Sequence, residues 1–334
     1  MLDRRAFIIR VSKTAIVSFL ATLVLPSVHP AQAQQGRVYR IGVVREGGPD
    51  DAVVAGLKEG LKDLGVAEGI DYVLESHDLN GNRSAAGAAA ESLERKNVDV
   101  IYSIATSVTI AVKRATTKVP VVFAVGSDPV ASGLVDTFAN PGGRFTGVHY
   151  STTDLTAKRL EILKAILPKL RKVAIFYDPN NQAALAALTS AREAARELQL
   201  EIVEKQVSSV QDLRAYLTAF RPQDADAFFY INDAMVRSQA QIIIDTMRAK
   251  KVPTMFSFPS IAAQGALAGY GVSFRDIGRL SSRYVQKVLT GTNPRDLPVE
   301  SVSRVELALN INTAREIGVT IPQAVRLSAT DVVE

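Results

Sequence analysis

The chain has 334 residues, of which 47% are hydrophobic and 22% charged, values typical of a globular protein and not of a disordered or fibrous one. It has no cysteine, which excludes disulfides, a thiolate nucleophile and a cysteine zinc site. The length allows about two domains, and the formal net charge is +5.

Residues 1–33 have the pattern of a signal peptide. A basic segment with Arg4 and Arg5 precedes the apolar run Thr14–Leu25, and Ala31-Gln32-Ala33 supplies a small-x-small cleavage pattern. The apolar run is too short to cross the roughly 30 Å hydrocarbon core as a helix, which disfavours a membrane anchor. The arginine pair fits either a twin-arginine signal or an ordinary secretory one.

Cleavage after Ala33 removes four basic residues and one acidic residue, so most of the positive charge belongs to the leader. Binding to nucleic acid therefore loses its main electrostatic support.

Apolar runs alternate with amphipathic segments along the first half of the remaining chain. Val98–Ile104 is almost entirely apolar, which is typical of a strand buried on both faces. The predicted strands here are Val38–Val44, Asp71–Glu75, Val98–Ile104, Val119–Val125 and Arg144–Val148, and the predicted helices are Ala52–Leu64, Ser84–Arg95 and Thr106–Ala115.

The same alternation restarts near Leu155. Leu160, Leu163 and Leu167 share one face of the first predicted helix, which Pro168 ends. The predicted helices are Leu155–Leu167, Ala183–Leu198, Val210–Phe220, Met235–Lys250, Ile277–Leu289 and a short helix to Ile317, and the predicted strands are Lys172–Tyr177, Glu201–Val207, Ala225–Ile231, Pro253–Phe256, Ala266–Tyr270 and Arg304–Asn310.

Strands that alternate with helices predict an α/β fold with parallel sheets and right-handed crossovers. Two such runs predict two similar lobes. No Gly/Ser-rich linker separates them, so we expect short connections, one of them near His149–Asp154.

Ligands of open parallel sheets bind beyond the carboxyl ends of the strands. If the two lobes face each other, the residues at these strand ends line one cleft. The candidate ligand-binding residues are Arg45, Glu46, Thr106, Ser107, Ser127, Asp128 and Tyr150 from the first lobe, and Tyr177, Asn232, Asp233, Ser257 and Tyr270 from the second.

Several of these residues also fit a purely structural role. Ser127-Asp128-Pro129 has the composition of a helix start, and Asp233 precedes a predicted helix as a capping residue does. Thr106 or Ser107 would cap the predicted helix Thr106–Ala115. Asp233 would equally suit a ligand ammonium group. The three tyrosines fit either a ligand wall or packing in the core.

Signatures of enzymes are missing from the sequence: there is no G-x-S-x-G elbow, P-loop, G-x-G-x-x-G or H-E-x-x-H. His77 and His149 are the histidines outside the leader, and we expect both to be structural or solvated. We therefore expect no catalytic residues, no metal and no cofactor.

The sequence resembles a family of bacterial ABC-transporter substrate-binding proteins that includes members binding tryptophan and other aromatic amino acids. The resemblance covers nearly the whole chain after the leader. It is carried by GSDPVASGLV at Gly126, NPGGRFTGV at Asn140, VDVIYSIATSV at Val98, KVPVVFAV at Lys118 and LALNINTAREIGVTIP at Leu307.

The resemblance implies a type I periplasmic binding fold with two lobes joined by three hinge segments. One lobe would comprise residues 37–150 and about 271–300, and the other residues 151–270 and about 301–334. It implies a periplasmic, monomeric protein that binds a small polar solute, such as an amino acid or a related carboxylate, and delivers the solute to an ABC permease and its ATPase. From the charge balance we expect no nucleic-acid partner.

Three alternatives stay open at this point. A sensor subunit for a membrane receptor would use the same lobes. A periplasmic enzyme could also be built on an α/β fold. A repressor-type regulator would need a helix-turn-helix where the leader stands.

Overall fold

The structure, a computed structural model, describes residues 37–302 and 304–334; the predicted signal peptide lies outside the described residues. The strands are β1 (Tyr39–Arg45), β2 (Tyr72–Asp78), β3 (Val100–Ile104), β4 (Val121–Val125), β5 (Phe145–His149), β6 (Lys172–Tyr177), β7 (Glu201–Gln206), β8 (Ala227–Phe229), β9 (Thr254–Phe256), β10 (Ala268–Gly271), β11 (Glu300–Ser301), β12 (Glu306–Asn310) and β13 (Asp331–Val333).

Helices connect most of these strands. The α-helices are α1 (Asp50–Asp63), α2 (Ala86–Arg95), α3 (Thr106–Ala115), α4 (Thr156–Ile166), α5 (Gln182–Glu197), α6 (Val210–Ala219), α7 (Ala234–Ser238), α8 (Ala240–Ala249), α9 (Phe274–Leu289), α10 (Ile311–Ile317) and α11 (Gln323–Ser328), and 3-10 helices span Arg83–Ala85, Pro259–Gln264 and Pro294–Asp296.

The strands form two sheets, one in each lobe. The first has the order β11-β5-β4-β3-β1-β2, and all its pairs are parallel. The second has the order β13-β12-β10-β9-β8-β6-β7 and is parallel except for the antiparallel pair β10–β12. The α/β prediction with two lobes is confirmed.

The chain passes between the two sheets three times. It leaves the first sheet after β5 and enters the second at β6, it returns through α9 to β11, and it crosses again to β12. The first crossing contains residues 150–155, in the region where the sequence predicts a connection.

Helices α1 and α9 pack so closely that glycine is required at their contact. A Cβ on Gly278 would overlap the Val53 carbonyl oxygen, and a Cβ on Gly56 would overlap the Arg275 carbonyl oxygen. Because α9 follows β10 of the second lobe, this contact fixes the returning chain on the first lobe.

The predicted strands at 98–104 and 119–125 correspond to β3 and β4, whose residues are all buried. Three predicted elements differ clearly from the structure. The predicted strand Ala225–Ile231 is shorter, because β8 covers Ala227–Phe229 alone. The second strand continues to Asp78, pairing with β1 up to Arg45. The predicted helix Met235–Lys250 is instead two helices, α7 and α8, which meet at Gln239.

Within residues 37–302 and 304–334, no helix combines the length and apolar character that crossing a membrane requires.

Candidate functional site

The carboxyl ends of the two sheets meet at one asparagine. Asn232 follows β8, and its Nδ2 donates to the Ser127 hydroxyl at 2.9 Å and to the Thr153 hydroxyl at 3.2 Å. Ser127 follows β4 of the first lobe, and Thr153 lies in the first crossing segment. Ser127 and Asn232 are both buried. The lobes are thus in direct polar contact where the sequence predicts the cleft.

The loop that carries Ser127 is held by the neighbouring strand end. The Ser127 backbone N–H donates to the Thr106 hydroxyl at 3.2 Å. Thr106 begins α3, and Ala105 before it has a φ of 87°, which L-residues rarely adopt. Strained backbone of this kind concentrates at functional sites, which supports a functional site at this strand end.

A fully buried ion pair lies beside this contact. The Asp50 carboxylate, in the first turn of α1, is 2.7 Å from the Arg237 guanidinium at the end of α7, with side-chain exposures of 0% and 1%. The pair joins the lobes through helices that each begin just after a strand end. Removing one partner of such a buried pair is strongly destabilising, because the other charge is left uncompensated.

Arg237 is also surrounded by aromatic side chains. Its guanidinium carbon is 5.4 Å from the centre of the Phe274 ring, and the Tyr150 ring packs edge-on against Phe274 at 5.9 Å. Burial acts to lower the pKa of Arg237, but the Asp50 carboxylate, Tyr150, Tyr230 and Glu46 together outweigh it, so that this pKa is raised. Arg237 is therefore a permanent positive charge inside the interface between the lobes.

Glu46, directly after β1, is completely buried, and neither of its carboxylate oxygens has a hydrogen-bond partner among residues 37–302 and 304–334. Burial raises the pKa of Glu46 to about 8, and the negative charges of Asp233 and Asp50 act in the same direction. Its backbone N–H donates to the Asp50 carboxylate at 3.3 Å. The side chain therefore stands as an unsatisfied acceptor between the lobes.

Asp233 is buried like Glu46 but is fully hydrogen-bonded. Its carboxylate accepts from the backbone N–H groups of Asp178 at 2.9 Å and Val236 at 3.1 Å, and from Asn181 Nδ2 at 3.3 Å. Burial nevertheless raises the pKa of this carboxyl, against the effect of these bonds. The capping role anticipated for Asp233 is present, as the N-cap of α7.

A second ion pair joins the lobes at the rim of the cleft. Arg83, in the first lobe, is 2.8 Å from Asp178, which follows β6. Grooves of about 410 and 480 Å³ adjoin this pair on either side and are lined by residues of both lobes.

Two other predicted residues, Ser107 and Asp128, lie outside the central contact. Ser107 lines the larger groove, and its buried hydroxyl has no hydrogen-bond partner within the described ranges. Asp128 is exposed and accepts from the backbone N–H groups of Val130 and Ala131, which stabilises a turn. The alternative that this segment starts a helix is wrong, because residues 129–133 form turns.

The remaining predicted residues are spread over both lobes. Tyr150 is buried beside the Asp50–Arg237 pair, and Ser257 is buried after β9. The Tyr177 hydroxyl bonds within the second lobe to Glu204 and Gln206, and Tyr270 packs against the core of that lobe. We therefore leave Tyr177 and Tyr270 out of the proposed site.

Arg45 is adjacent to Glu46 but does not neutralise it. Its guanidinium is 2.8 Å from the Asp51 carboxylate and 3.0 Å from the Asp78 carboxylate. These contacts lie within the first lobe and direct the Arg45 charge to the carboxylates of α1 and β2.

Sequence reasoning missed Asp50, Arg237 and Thr153. Asp50 and Arg237 follow the strand ends by a few residues, so a search that stops at the end of the strand does not reach them. Thr153 lies in the segment predicted to connect the lobes, and the sequence assigns it no role in binding. A wider window after each strand would have included all three.

Within the described ranges, no group of three or more His, Asp and Glu side chains converges as a metal site would require.

The chain is similar over most of its length to proteins that bind small solutes. It is 24% identical over 268 residues to the tyrosine-binding protein of Clostridioides difficile, which covers 80% of this chain and 76% of that protein.

Two solved structures share the fold. A conserved domain protein from Vibrio cholerae matches 89% of this chain and all of its own, with 28% identity and a TM-score of 0.81. An ABC domain from Streptococcus pneumonia in complex with L-Trp has the same coverage, with 23% identity and a TM-score of 0.79. Other ABC transporter solute-binding proteins also share the fold, so the type I periplasmic binding fold is confirmed.

Residues 40–333 match the family described as ABC transporter substrate binding protein, whose members are binding proteins and not a class of enzyme. The match spans both sheets and all three crossings between them. The chain therefore belongs to the ABC transporter substrate-binding protein family.

Proposed function

We propose that this protein is the exported solute-binding subunit of an ABC importer, and that its lobes close on one small polar solute, an amino acid or a related carboxylate. The observation that carries the proposal is the contact of Asn232 with Ser127 and Thr153, which joins both strand ends and the first crossing segment.

A binding protein of this kind needs two states that differ in their affinity for the solute. Closure of two lobes around a ligand is a common way to obtain them. The Asn232 contact and the Asp50–Arg237 pair exist when the lobes touch, and opening would expose their polar groups to water. Both sets of contacts are therefore candidates for the closed state.

The polar groups buried between the lobes and the relatives of the chain both indicate the class of solute. Buried hydroxyl, amide and charged side chains favour a polar ligand over an apolar one, because such groups must be satisfied when water leaves the cleft. One relative is named for tyrosine and one fold relative holds L-Trp. We therefore infer an amino acid, with aromatic ones the first to test.

The family supports the importer role that we propose, in which the closed lobes would dock on a permease and the permease would couple to an ATPase. We place the protein in the periplasm after cleavage of the predicted leader at Ala33. We take residues 37–150 with about 271–300 as one lobe, residues 151–270 with about 301–334 as the other, and the three crossings as hinges.

A thermal-shift screen over amino acids, small acids and nucleosides tests the proposal. A solute present at 100 times its dissociation constant should stabilise the protein by about 2.7 kcal/mol. A melting temperature that responds to lipids or metal ions and to no small polar solute would contradict it.

Asn232 is the sharpest point for a mutational test. We expect Asn232→Ala to weaken binding of the solute by roughly 10-fold, because the Ser127 and Thr153 hydroxyls lose a partner in the closed state. Asn312→Ala, at an exposed position of α10, is the matched control and should bind as the wild type does. Isothermal titration calorimetry measures both; equal affinities for the two variants would remove Asn232 from the site.

A further inference from the structure

Among the residues that the structure describes, Glu46 differs from the other carboxylates buried between the lobes because neither of its oxygens has a hydrogen-bond or ion-pair partner. Glu46 has 0% exposure, and no group in the described part of the chain forms a hydrogen bond with either of its oxygens. A buried, unpaired carboxylate is costly in free energy, so the group must either acquire a partner or lose its charge.

The charged groups that face Glu46 come from three other elements and do not neutralise it. Arg237 of α7 is committed to Asp50 of α1 at 2.7 Å, and Arg83 of the first 3-10 helix is committed to Asp178 at 2.8 Å. Asp233, the N-cap of α7, adds a further negative charge. The groups named around Glu46 thus include more carboxylates than guanidinium groups.

We propose that Glu46 is the subsite for a cationic group of the solute, and that a proton takes the place of that group when the cleft closes empty. The inference rests on the proposed function, since it needs a solute that enters between the lobes. We take this cationic group to be organic and not a metal ion, because no three His, Asp or Glu side chains of the described residues converge as metal ligands do.

A primary ammonium group fits this subsite best. It carries three N–H donors and a full positive charge, so it can satisfy both Glu46 oxygens with charge-assisted hydrogen bonds. An amino acid supplies such a group. A solute that offers only a carboxylate or hydroxyls would leave the Glu46 charge uncompensated.

The proton provides a readout that needs no solute. Burial and the neighbouring carboxylates raise the pKa of Glu46 to about 8, whereas an open cleft would return it towards its ordinary value near 4.5. Closing the empty cleft therefore takes up a proton between about pH 4.5 and 8. As pH rises through that window, the equilibrium constant for closing should fall by at most about tenfold per pH unit, and the closed fraction should fall with it. Both should level off above pH 8.

The first experiment compares matched probes by isothermal titration calorimetry at pH 7.5. The pairs are L-tyrosine with 3-(4-hydroxyphenyl)propionate and L-tryptophan with indole-3-propionate, which differ in the ammonium group alone. We expect binding of the amino acid to be at least 10-fold tighter. Glu46→Gln should remove most of that difference, whereas Glu193→Gln, at an exposed position of α5, should leave it unchanged.

The second experiment measures lobe closure in the empty protein. Since the chain has no cysteine, Ala88→Cys in α2 and Ala186→Cys in α5, both exposed, allow specific spin labels on the two lobes. We expect the distance between the two labels, measured by double electron–electron resonance, to shift from the closed towards the open value as pH rises from 6 to 8.5. The same labelled pair carrying Glu46→Gln should show no shift, because the amide does not titrate.

The outcomes separate the two proposals. Tight binding of the compounds without an ammonium group, unaffected by Glu46→Gln, overturns the Glu46 subsite and leaves the proposed function standing. A pH shift of equal size in the wild type and in Glu46→Gln also overturns it. If no small polar solute in the wider thermal-shift screen binds, the proposed function fails and the subsite fails with it.

Discussion

At the residue scale, Asp233 and Asp128 show how a strand-end carboxylate can serve the protein's own backbone. Asp233 accepts two backbone N–H groups and one amide N–H, all within the second lobe. Asp128 accepts two backbone N–H groups of its own turn in the first lobe. Neither carboxylate needs a ligand to be satisfied, which distinguishes both from Glu46.

We expect Asp233→Ala to lower the free energy of unfolding by about 1–3 kcal/mol, because it leaves buried donors of Asp178 and Val236 without a partner. Asp128→Ala, which removes an exposed turn contact, should cost less than about 1 kcal/mol. Urea unfolding monitored by circular dichroism compares the two. A fully stable Asp233→Ala protein with weakened solute binding would restore the alternative that Asp233 contacts the solute.

Part of this could be predicted from the sequence. Capping by Asp233 follows from its place before a helix, and the burial of Ser127 and Thr106 follows from the end of a buried strand. The pairing of Asp50 with Arg237 could not be predicted, because it depends on how the two lobes are oriented and not on any local pattern. The isolation of Glu46 depends on the same orientation.

At the scale of elements, the contact between α1 and α9 fixes the crossing chain to the first lobe. The helices approach closely at Gly56 and Gly278, where a side chain would meet backbone atoms. A side-chain hydrogen bond also explains why the predicted helix Met235–Lys250 is two helices, α7 and α8. Ser238 donates its hydroxyl to the Met235 carbonyl, a local bond that competes with helix continuation, and α7 ends there.

We expect Gly278→Ala to destabilise the protein by more than 1 kcal/mol, because the new methyl group must displace the Val53 carbonyl on the facing helix. Gly87→Ala in α2 is the matched control. Its added Cβ would lie 3.6 Å from Ala115, an ordinary contact, so the helix propensity of alanine should stabilise it by about 0.4–1 kcal/mol. Chemical denaturation measures the change in the free energy of unfolding for both variants. A change of the same sign in the two variants would contradict the packing argument.

At the scale of the whole molecule, two sheets and three crossings place polar strand ends against each other. The alternation of strands and helices predicts the two lobes and their parallel sheets from the sequence, because parallel sheets with helical crossovers leave few topologies. The three crossings are implied by the family resemblance and not by this alternation. The antiparallel pair β10–β12 was not predicted. It forms where the chain returns from β11 of the first sheet and adds β12 beside β10, and the alternation of strands and helices does not specify the direction of that strand.

The buried pair Asp50–Arg237 should govern the balance between open and closed lobes. We expect Arg237→Met to weaken closure and to lower solute affinity by at least 10-fold, because Asp50 would then be buried without its partner. The double variant Asp50→Asn with Arg237→Met removes both charges and should recover part of the loss. Calorimetric titration of L-tyrosine or L-tryptophan into each variant gives the coupling; strictly additive effects would show that the pair does not act as a unit.

The most direct measurement of closure uses the labels at Ala88 and Ala186 with the amino acid that gives the largest thermal shift. We predict that saturating solute collapses the distribution of distances between the lobes to a single short population, and that Asn232→Ala shifts the solute concentration needed for this upwards. A solute that binds tightly while the distance distribution stays the same with and without it would contradict closure of the two lobes around the ligand.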